Sequence, residues 1–141
     1  MELTEKLHHQ IVKLCKKGDQ FIKRDKFDQA LKMFHQALEM IPAPKTNWEA
    51  GTWVYSAIGD CYFFKQEFEQ ARNYLYDAYN CPGGIANPFI LLRLGECLFE
   101  GNEFEKSRDF LLRAYMLEGE DIFLYEDPKY LESIKTIIER E

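Results

Sequence analysis

Apolar and small residues recur along this chain in three copies that align on Gly18, Gly59 and Gly95. Counting from each glycine, a large apolar residue follows at three positions, a phenylalanine at nine, a small residue at twelve, a large apolar residue at sixteen and an alanine at nineteen. The aligned residues are Phe21, Tyr62 and Leu98; Phe27, Phe68 and Phe104; Ala30, Ala71 and Ser107; Phe34, Leu75 and Leu111; and Ala37, Ala78 and Ala114. Residues three or four positions apart share a helix face. Each copy therefore predicts two helices packed as a hairpin.

Polar residues mark where the predicted helices end. The two halves of each copy are separated by triplets that favour turns, at residues 24–26, 65–67 and 101–103. Asn87 and Asp127 each precede a proline, and this pairing of a capping side chain with proline is typical of a helix start.

After the third copy, the sequence predicts one more helix over residues 127–140, with an apolar face. That face comprises Tyr130, Leu131, Ile134, Ile137 and Ile138. The preceding segment, residues 122–125, is too apolar for a free linker, and we expect it to be packed against the helices.

The three copies resemble the tetratricopeptide repeat, whose pattern runs through large apolar positions, Leu-Gly, Tyr, Ala, Phe, Ala and Pro. The matching residues are Leu14, Gly18, Phe21, Ala30, Phe34, Ala37 and Pro42; Tyr55, Ile58, Gly59, Tyr62, Ala71, Leu75 and Ala78; and Leu91, Leu94, Gly95, Leu98, Ser107, Leu111 and Ala114. The resemblance implies an all-α fold of three helical hairpins in a right-handed superhelix, closed by a C-terminal capping helix. The expected single domain, residues 1–141, contains repeats over 11–44, 52–85 and 88–121 and the capping helix over 127–140.

The spacing departs from the family's 34-residue repeat. Gly18 and Gly59 are 41 residues apart, and Gly59 and Gly95 are 36 apart. The first excess is close to two helical turns, and the sequence from Thr46 to Glu49 has the spacing of a capping box. These features predict a first helix of the second repeat that is extended at its N-terminus and begins near Asn47, with Trp48 overhanging the neighbouring hairpin. The second excess predicts a loosened loop over residues 81–85.

In this family, the first helix of each hairpin lines the inner, concave surface. The resemblance therefore implies a partner-binding groove with aromatic and acidic residues. Its candidate contacts are Asp19, Trp53, Ser56, Asp60, Phe63, Phe89, Leu92, Glu96 and Phe99. The alternative is that the capping segment, or a second copy of the chain in a homodimer, covers the groove's aromatic residues.

The charges of the groove favour a particular kind of partner. The best-known family ligand is a peptide C-terminus held by Lys, Asn and Arg, but the equivalent positions here are largely acidic or neutral, and only Arg93 and marginal lysines could contribute. Acidic groove residues would repel a carboxylate. Net charge is also uneven, at +3 over residues 1–45, −2 over 46–95 and −7 over 96–141. We therefore expect a basic protein or peptide with apolar anchor residues.

Composition excludes several other classes of function. The net charge of −6 argues against nucleic-acid binding, and no apolar run is long enough to cross a membrane. Without a secretion signal at the start, we expect a cytoplasmic location. The cysteines and histidines lack metal-ligand spacing, and no catalytic motif is present. The sequence predicts neither metal, cofactor nor enzymatic activity.

These inferences describe a protein that holds, restrains or delivers another protein. The stretches 114–122 and 127–131 resemble the ends of small bacterial tetratricopeptide proteins, some of which accompany toxins. One predicted role is therefore an immunity protein that neutralises a cognate bacterial toxin. A secretion chaperone and an assembly scaffold are the alternatives.

Overall fold

The computed structural model describes residues 3–139, which contain seven α-helices and no strand. The helices are α1 (Glu5–Lys23), α2 (Phe27–Met40), α3 (Glu49–Phe64), α4 (Phe68–Tyr79), α5 (Pro88–Glu100), α6 (Phe104–Glu118) and α7 (Pro128–Glu139). Helices α1–α2, α3–α4 and α5–α6 pair as hairpins that stack in order, and α7 packs against α6 at the end of the stack. The predicted all-α fold of three hairpins and a further helix is confirmed. Residues 1, 2, 140 and 141 of the expected domain lie outside the described part of the chain.

The three aligned glycines are the points of closest approach within the hairpins. A Cβ atom built on Gly18 would come within 2.5 Å of the Phe34 ring. At Gly59 and Gly95, it would lie 2.6 and 2.8 Å from Leu75 and Leu111, respectively. Real Cβ atoms essentially never make contacts this short, so the large residue sixteen positions later fills the space that each glycine leaves open.

The turns within the hairpins share one backbone device. Asp25, Gln66 and Asn102, one from each polar triplet, adopt positive φ angles of 58°, 63° and 63°. This left-handed conformation reverses the chain over a few residues, and short polar side chains tolerate it better than branched ones. The predicted turns are therefore confirmed at all three triplets.

The connection between the first two hairpins differs from the expectation of a helix begun by a Thr46 capping box. Residues Lys45–Asn47 form a short 3₁₀ turn, and α3 begins at Glu49. Trp48 is buried, and its indole Nε1 donates a hydrogen bond to the Pro42 carbonyl at 2.9 Å. Residues 41–48 form a folded loop around Trp48, because burying the indole satisfies both its ring and its N–H. Helix α3 begins ten residues before Gly59, whereas α5 begins seven before Gly95, so the predicted N-terminal extension is present and starts two residues after Asn47. The predicted overhang of Trp48 is wrong.

The start of α5 has the predicted cap, since Asn87 Oδ1 accepts hydrogen bonds from the backbone amides of Phe89 and Ile90. Before it, the predicted loop over residues 81–85 contains Gly83 with a φ of 76° and leads into a 3₁₀ turn over Gly84–Ala86.

At the start of α7, Asp127 Oδ1 accepts a hydrogen bond from the Lys129 amide at 3.0 Å. In the segment before α7, Phe123 is buried and Ile122 packs against the core, whereas Leu124 and Tyr125 are exposed. The expectation that residues 122–125 are packed down therefore holds only for its first half.

Two clusters of buried side chains form the core. One joins α1, α2 and α3, and the other joins α4, α5, α6, α7 and the 3₁₀ turn over Glu120–Phe123. Tyr62 packs against both clusters, so they are continuous through the middle hairpin. Within residues 3–139, no helix combines the length and the apolar character that crossing a lipid bilayer requires.

Candidate binding surface

Helices α1, α3 and α5 are neighbours and form the inner face, where the sequence places its candidate partner contacts. The candidates fall into rows because each occupies a fixed offset from the aligned glycine of its helix. The upper row lies six residues before the glycine and contains Val12, Trp53 and Phe89, and the second row lies three residues before it and contains Cys15, Ser56 and Leu92. The acidic row lies one residue after the glycine and contains Asp19, Asp60 and Glu96, and the lower row lies four residues after it and contains Ile22, Phe63 and Phe99.

The upper row presents two large aromatic side chains to solvent. Trp53 is 45% exposed and Phe89 is 66% exposed. The ring of His8 on α1 meets the Trp53 indole edge to face, with 5.8 Å between ring centroids. Trp53 also lines an open pocket of about 860 Å³ with Glu5 and Glu49, and none of the described residues in its wall is Lys or Arg.

Ser56 and Leu92 differ in their availability. Ser56 is half-buried, whereas Leu92 is buried within the core cluster of the last two hairpins. Leu92 was expected to face the partner; its side chain instead stabilises the fold. Because α5 lies deeper in the stack than α1, the same offset from the glycine points into protein rather than toward solvent.

The acidic row is graded from open to closed along the chain. Asp19 is exposed and, among the described residues, forms no ion pair. Partial burial raises the pKa of Asp19, and the charge of Lys23 opposes that rise. Asp60 is half-buried and accepts a hydrogen bond from Arg93 Nε at 3.0 Å. Glu96 is fully buried, so the expectation that it faces a partner is wrong.

Arg93 is the centre of a charged cluster with three carboxyl groups. Its Nη1 donates to Glu96 Oε1 at 2.8 Å and to Glu126 Oε1 at 2.6 Å, in addition to the Asp60 contact from Nε. The guanidinium also lies over the Phe63 ring, 4.4 Å from its centroid, so Phe63 packs against this cation within the chain. The cation that could have held a peptide carboxylate is therefore already occupied.

The C-terminal segment, residues 120–139, supplies Glu126 and covers the lower part of α5. Lys129 Nζ pairs with Glu100 at 3.0 Å, and the Tyr130 hydroxyl donates to Glu100 Oε2 at 3.3 Å. The Tyr130 ring packs edge to face on Phe99, with centroids 5.3 Å apart. The capping segment thus takes up part of the aromatic surface that the sequence assigns to a partner.

Sequence reasoning missed Glu126. Its contact with Arg93 spans 33 residues, and no local pattern reports such a pairing. One signal was available, because Arg93 and Glu96 are three residues apart on one helix, a spacing at which opposite charges pair. That spacing could have predicted that Glu96 is neutralised within the chain.

The cysteines show the properties of structural side chains. All four are free thiols, and three of them, Cys61, Cys81 and Cys97, are buried. Burial raises the pKa of Cys61 to about 12, which keeps the thiol protonated and unreactive. Within residues 3–139, no group of three or more His, Cys, Asp or Glu side chains is placed to hold a metal ion.

A family model described as tetratricopeptide repeat matches residues 10–81, just over half of the chain. The chain belongs to the tetratricopeptide repeat family. Domains of this family are in general interaction modules rather than catalysts. No curated protein sequence matches the chain.

Several solved structures share the fold at low sequence identity. The second TPR domain of human RPAP3, solved in complex with the HSP70 peptide SGPTIEEVD, has a TM-score of 0.71 and 14% identity, over 93% of this chain and 97% of that one. The Yersinia enterocolitica type III secretion chaperone SycD, solved with a peptide of the translocator YopD, has a TM-score of 0.68 and 15% identity, over 92% and 93%. The C-terminal TPR-containing domain of a Plasmodium falciparum protein has a TM-score of 0.75 and 13% identity, over 99% and 93%.

Proposed function

We propose that this protein is a binding module that holds a basic segment of a partner protein against the open part of its inner face. The observation that carries the proposal is the pair Trp53 and Phe89, which occupy equivalent positions on neighbouring helices and are both exposed. Exposed aromatic side chains on one face are frequent anchors of protein interfaces. Asp19, Asp60 and Ser56 lie below them on α1 and α3 and complete the proposed contact surface.

The charges of this surface support a basic partner. The pocket beside Trp53 has Glu5 and Glu49 in its wall, and Asp19 has no ion-pair partner among residues 3–139. A lysine or arginine side chain of the partner would meet these carboxylates and could also lie on the indole face. Acidic residues of this kind orient the partner and speed its approach more than they add affinity.

The charged cluster around Arg93 disfavours binding of a peptide whose C-terminus is acidic. The human RPAP3 domain was solved with an HSP70 peptide that ends in EEVD. In this chain, Arg93 lies on α5, a helix of the inner face, and three carboxyl groups of the chain already surround it. A ligand carboxylate would have to displace one of them while facing the others.

For the biological role, we favour an immunity protein that restrains a basic toxin, because an acidic inhibitor suits such a target. A secretion chaperone is the second candidate, supported by the fold shared with the Yersinia chaperone and its bound translocator peptide. Co-expression with a captured partner separates the two roles. Relief of the partner's toxicity supports immunity, and improved solubility of a harmless partner supports a chaperone.

The groove itself is tested with the tagged chain, the double variant Trp53→Ala/Phe89→Ala and the control Met116→Ala. Met116 is a large exposed apolar residue on α6, outside the helices of the inner face, so this control keeps the loss of an exposed apolar side chain and changes its position. We expect partner affinity, measured by calorimetry with the purified partner, to fall at least tenfold in the double variant only. Equal affinity for all three proteins would contradict binding at the inner face.

A further inference from the structure

The Arg93 cluster holds more carboxyl groups than its single cation can neutralise. Asp60 comes from α3, Glu96 from α5 and Glu126 from the C-terminal segment, and each contacts the guanidinium within 3.0 Å. If all three carboxyl groups were ionised, the cluster would carry a net charge of −2 (one positive and three negative charges) in a largely buried site. Such an excess is unfavourable because burial removes the water that would otherwise screen the repulsion.

Among the three carboxyl groups, the ionised form is least favourable for Glu96. Its side chain has no exposed surface, and its Oε2 atom is buried without a hydrogen-bond donor. Glu96 Oε1 and Glu126 Oε1 both accept hydrogen bonds from the same nitrogen, Arg93 Nη1, at 2.8 and 2.6 Å, so the two carboxyl groups lie side by side. A proton placed between the two groups would satisfy the unpartnered oxygen and remove one negative charge, and a hydrogen bond between a carboxylic acid and a carboxylate is a short and strong one.

No other neighbouring group supplies that proton. The charged and titratable groups around Glu96 are Arg93 and Cys97 on α5, Glu126 on the C-terminal segment and Tyr130 on α7, with Asp60 on α3 across the Arg93 guanidinium. Arg93 already donates to Glu96 Oε1, and the Tyr130 hydroxyl donates to Glu100. Burial, reinforced by Glu126 and opposed by Arg93, raises the pKa of Glu96 to about 9.

We propose that Glu96 and Glu126 share a proton, and that this hydrogen bond latches the C-terminal segment onto α5. Opening the latch would expose Glu96 to water and uncover Phe99 and Arg93, so it would lengthen the exposed inner face. The latch is a property of the fold and does not depend on the proposed partner.

The sign of the pH dependence follows from the Glu96 pKa, which is 4.5 as a reference and about 9 in the closed cluster. Because closing takes up a proton within this window, the closed form is most favoured at the acidic end and weakens as pH rises. The equilibrium constant for opening should increase about tenfold per pH unit and level off above the upper pKa.

Carbon-13 NMR of glutamate carboxyl groups in the full chain tests the protonation directly. The Glu96 resonance, assigned through its own backbone, should titrate near pH 9, whereas titration near its reference pKa would overturn the proposal. This measurement uses the unmodified protein, so it decides the matter even if a variant fails to fold.

Hydrogen exchange of the α7 amides tests the latch, with rates corrected for intrinsic exchange. From pH 6 to 9, protection should fall about tenfold per unit in the parent chain. In Glu96→Gln it should be nearly flat, because the amide remains a donor at every pH. Glu100→Gln is the matched control: it weakens the contacts to Lys129 and Tyr130 and should lower protection uniformly, with the slope unchanged.

Two exchange results would contradict a local latch. One is an unchanged pH slope in Glu96→Gln. The other is an identical slope at the amides of α2, which lies in the other core cluster, because the proton would then be linked to unfolding of the whole chain rather than to release of the segment.

Discussion

Asp19 and Glu96 occupy the same position in the first and third hairpins, one residue after the aligned glycine, yet they have opposite environments. Asp19 is exposed without an ion pair among the described residues, whereas Glu96 is fully buried beside Arg93 and Glu126. The repeat determines where each side chain points. What lies opposite the side chain determines its chemistry, and the C-terminal segment lies opposite Glu96 of the third hairpin.

The largest effect that separates the two regions should come from Arg93→Ala. This change leaves Asp60, Glu96 and Glu126 without their shared cation, and it should lower the free energy of unfolding by about 3–5 kcal/mol. Urea denaturation at pH 7 measures the loss. Lys65→Ala, which removes the more exposed pair with Asp28, is the control and should cost about 1 kcal/mol or less. A loss of about 1 kcal/mol or less in Arg93→Ala would contradict the expected cost of leaving these buried carboxyl groups unpaired.

Phe99→Ala should lower the free energy of unfolding by about 2–3 kcal/mol. This is less than the cost of truncating a fully buried phenylalanine, because the Phe99 ring is only half-buried. The lost contacts are those with Phe104 and Tyr130. Thermal and urea unfolding report this cost. Partner affinity, measured below the unfolding transition, should stay within about twofold of the parent value. A large loss of affinity without a loss of stability would indicate that Phe99 contacts the partner directly.

Trp53→Ala changes the exposed part of the inner face and should weaken partner binding while leaving stability nearly unchanged. Partner binding should weaken by about 2 kcal/mol or more, as for a central aromatic anchor. Stability should change by less than about 1 kcal/mol, because much of the indole is exposed and little packing is lost. Calorimetry with the captured partner and urea unfolding separate the two effects. Unchanged affinity would exclude Trp53 as an anchor.

The smallest effect belongs to Asp19→Asn. Removing the charge of Asp19 should change the free energy of unfolding by no more than about 0.5 kcal/mol, since the side chain is exposed. It should slow association with a basic partner at low salt, and raising the salt should erase the difference because the charges are then screened. Stopped-flow association rates measure both conditions. A faster association of Asp19→Asn would indicate an acidic rather than a basic partner.

Much of the fold is predictable from the sequence because each hairpin is encoded by local spacing. The pairing of Gly18 with Phe34, repeated in the other two hairpins, requires only the helical period and the size of the side chains. The cap at Asn87 is equally local. In contrast, the burial of Trp48 depends on the core beside it and on a hydrogen bond to the Pro42 carbonyl, and a capping-box pattern contains no information about either.

The candidate surface is less predictable, because burial depends on contacts that are distant in sequence. Trp53 and Phe89 are exposed as the repeat positions suggest, but Leu92 and Glu96 occupy equally suggestive positions and are buried. Both are buried because α5 lies deep in the stack. Glu96 is also covered by the C-terminal segment, which brings Glu126 beside it from thirty residues later in the chain. The repeat pattern describes each hairpin in isolation and therefore cannot report what folds back over it.

The contact from Glu126 to Arg93 also determines which hairpin the C-terminal segment can follow. Repeat arrays normally grow by adding units, because each unit contacts only its neighbours. Here the carboxylate returns across 33 residues, slightly less than the 36-residue spacing from Gly59 to Gly95. A hairpin inserted between α6 and α7 would carry Glu126 a full unit away from Arg93. The contact therefore requires that the C-terminal segment follow directly after the hairpin that carries Arg93.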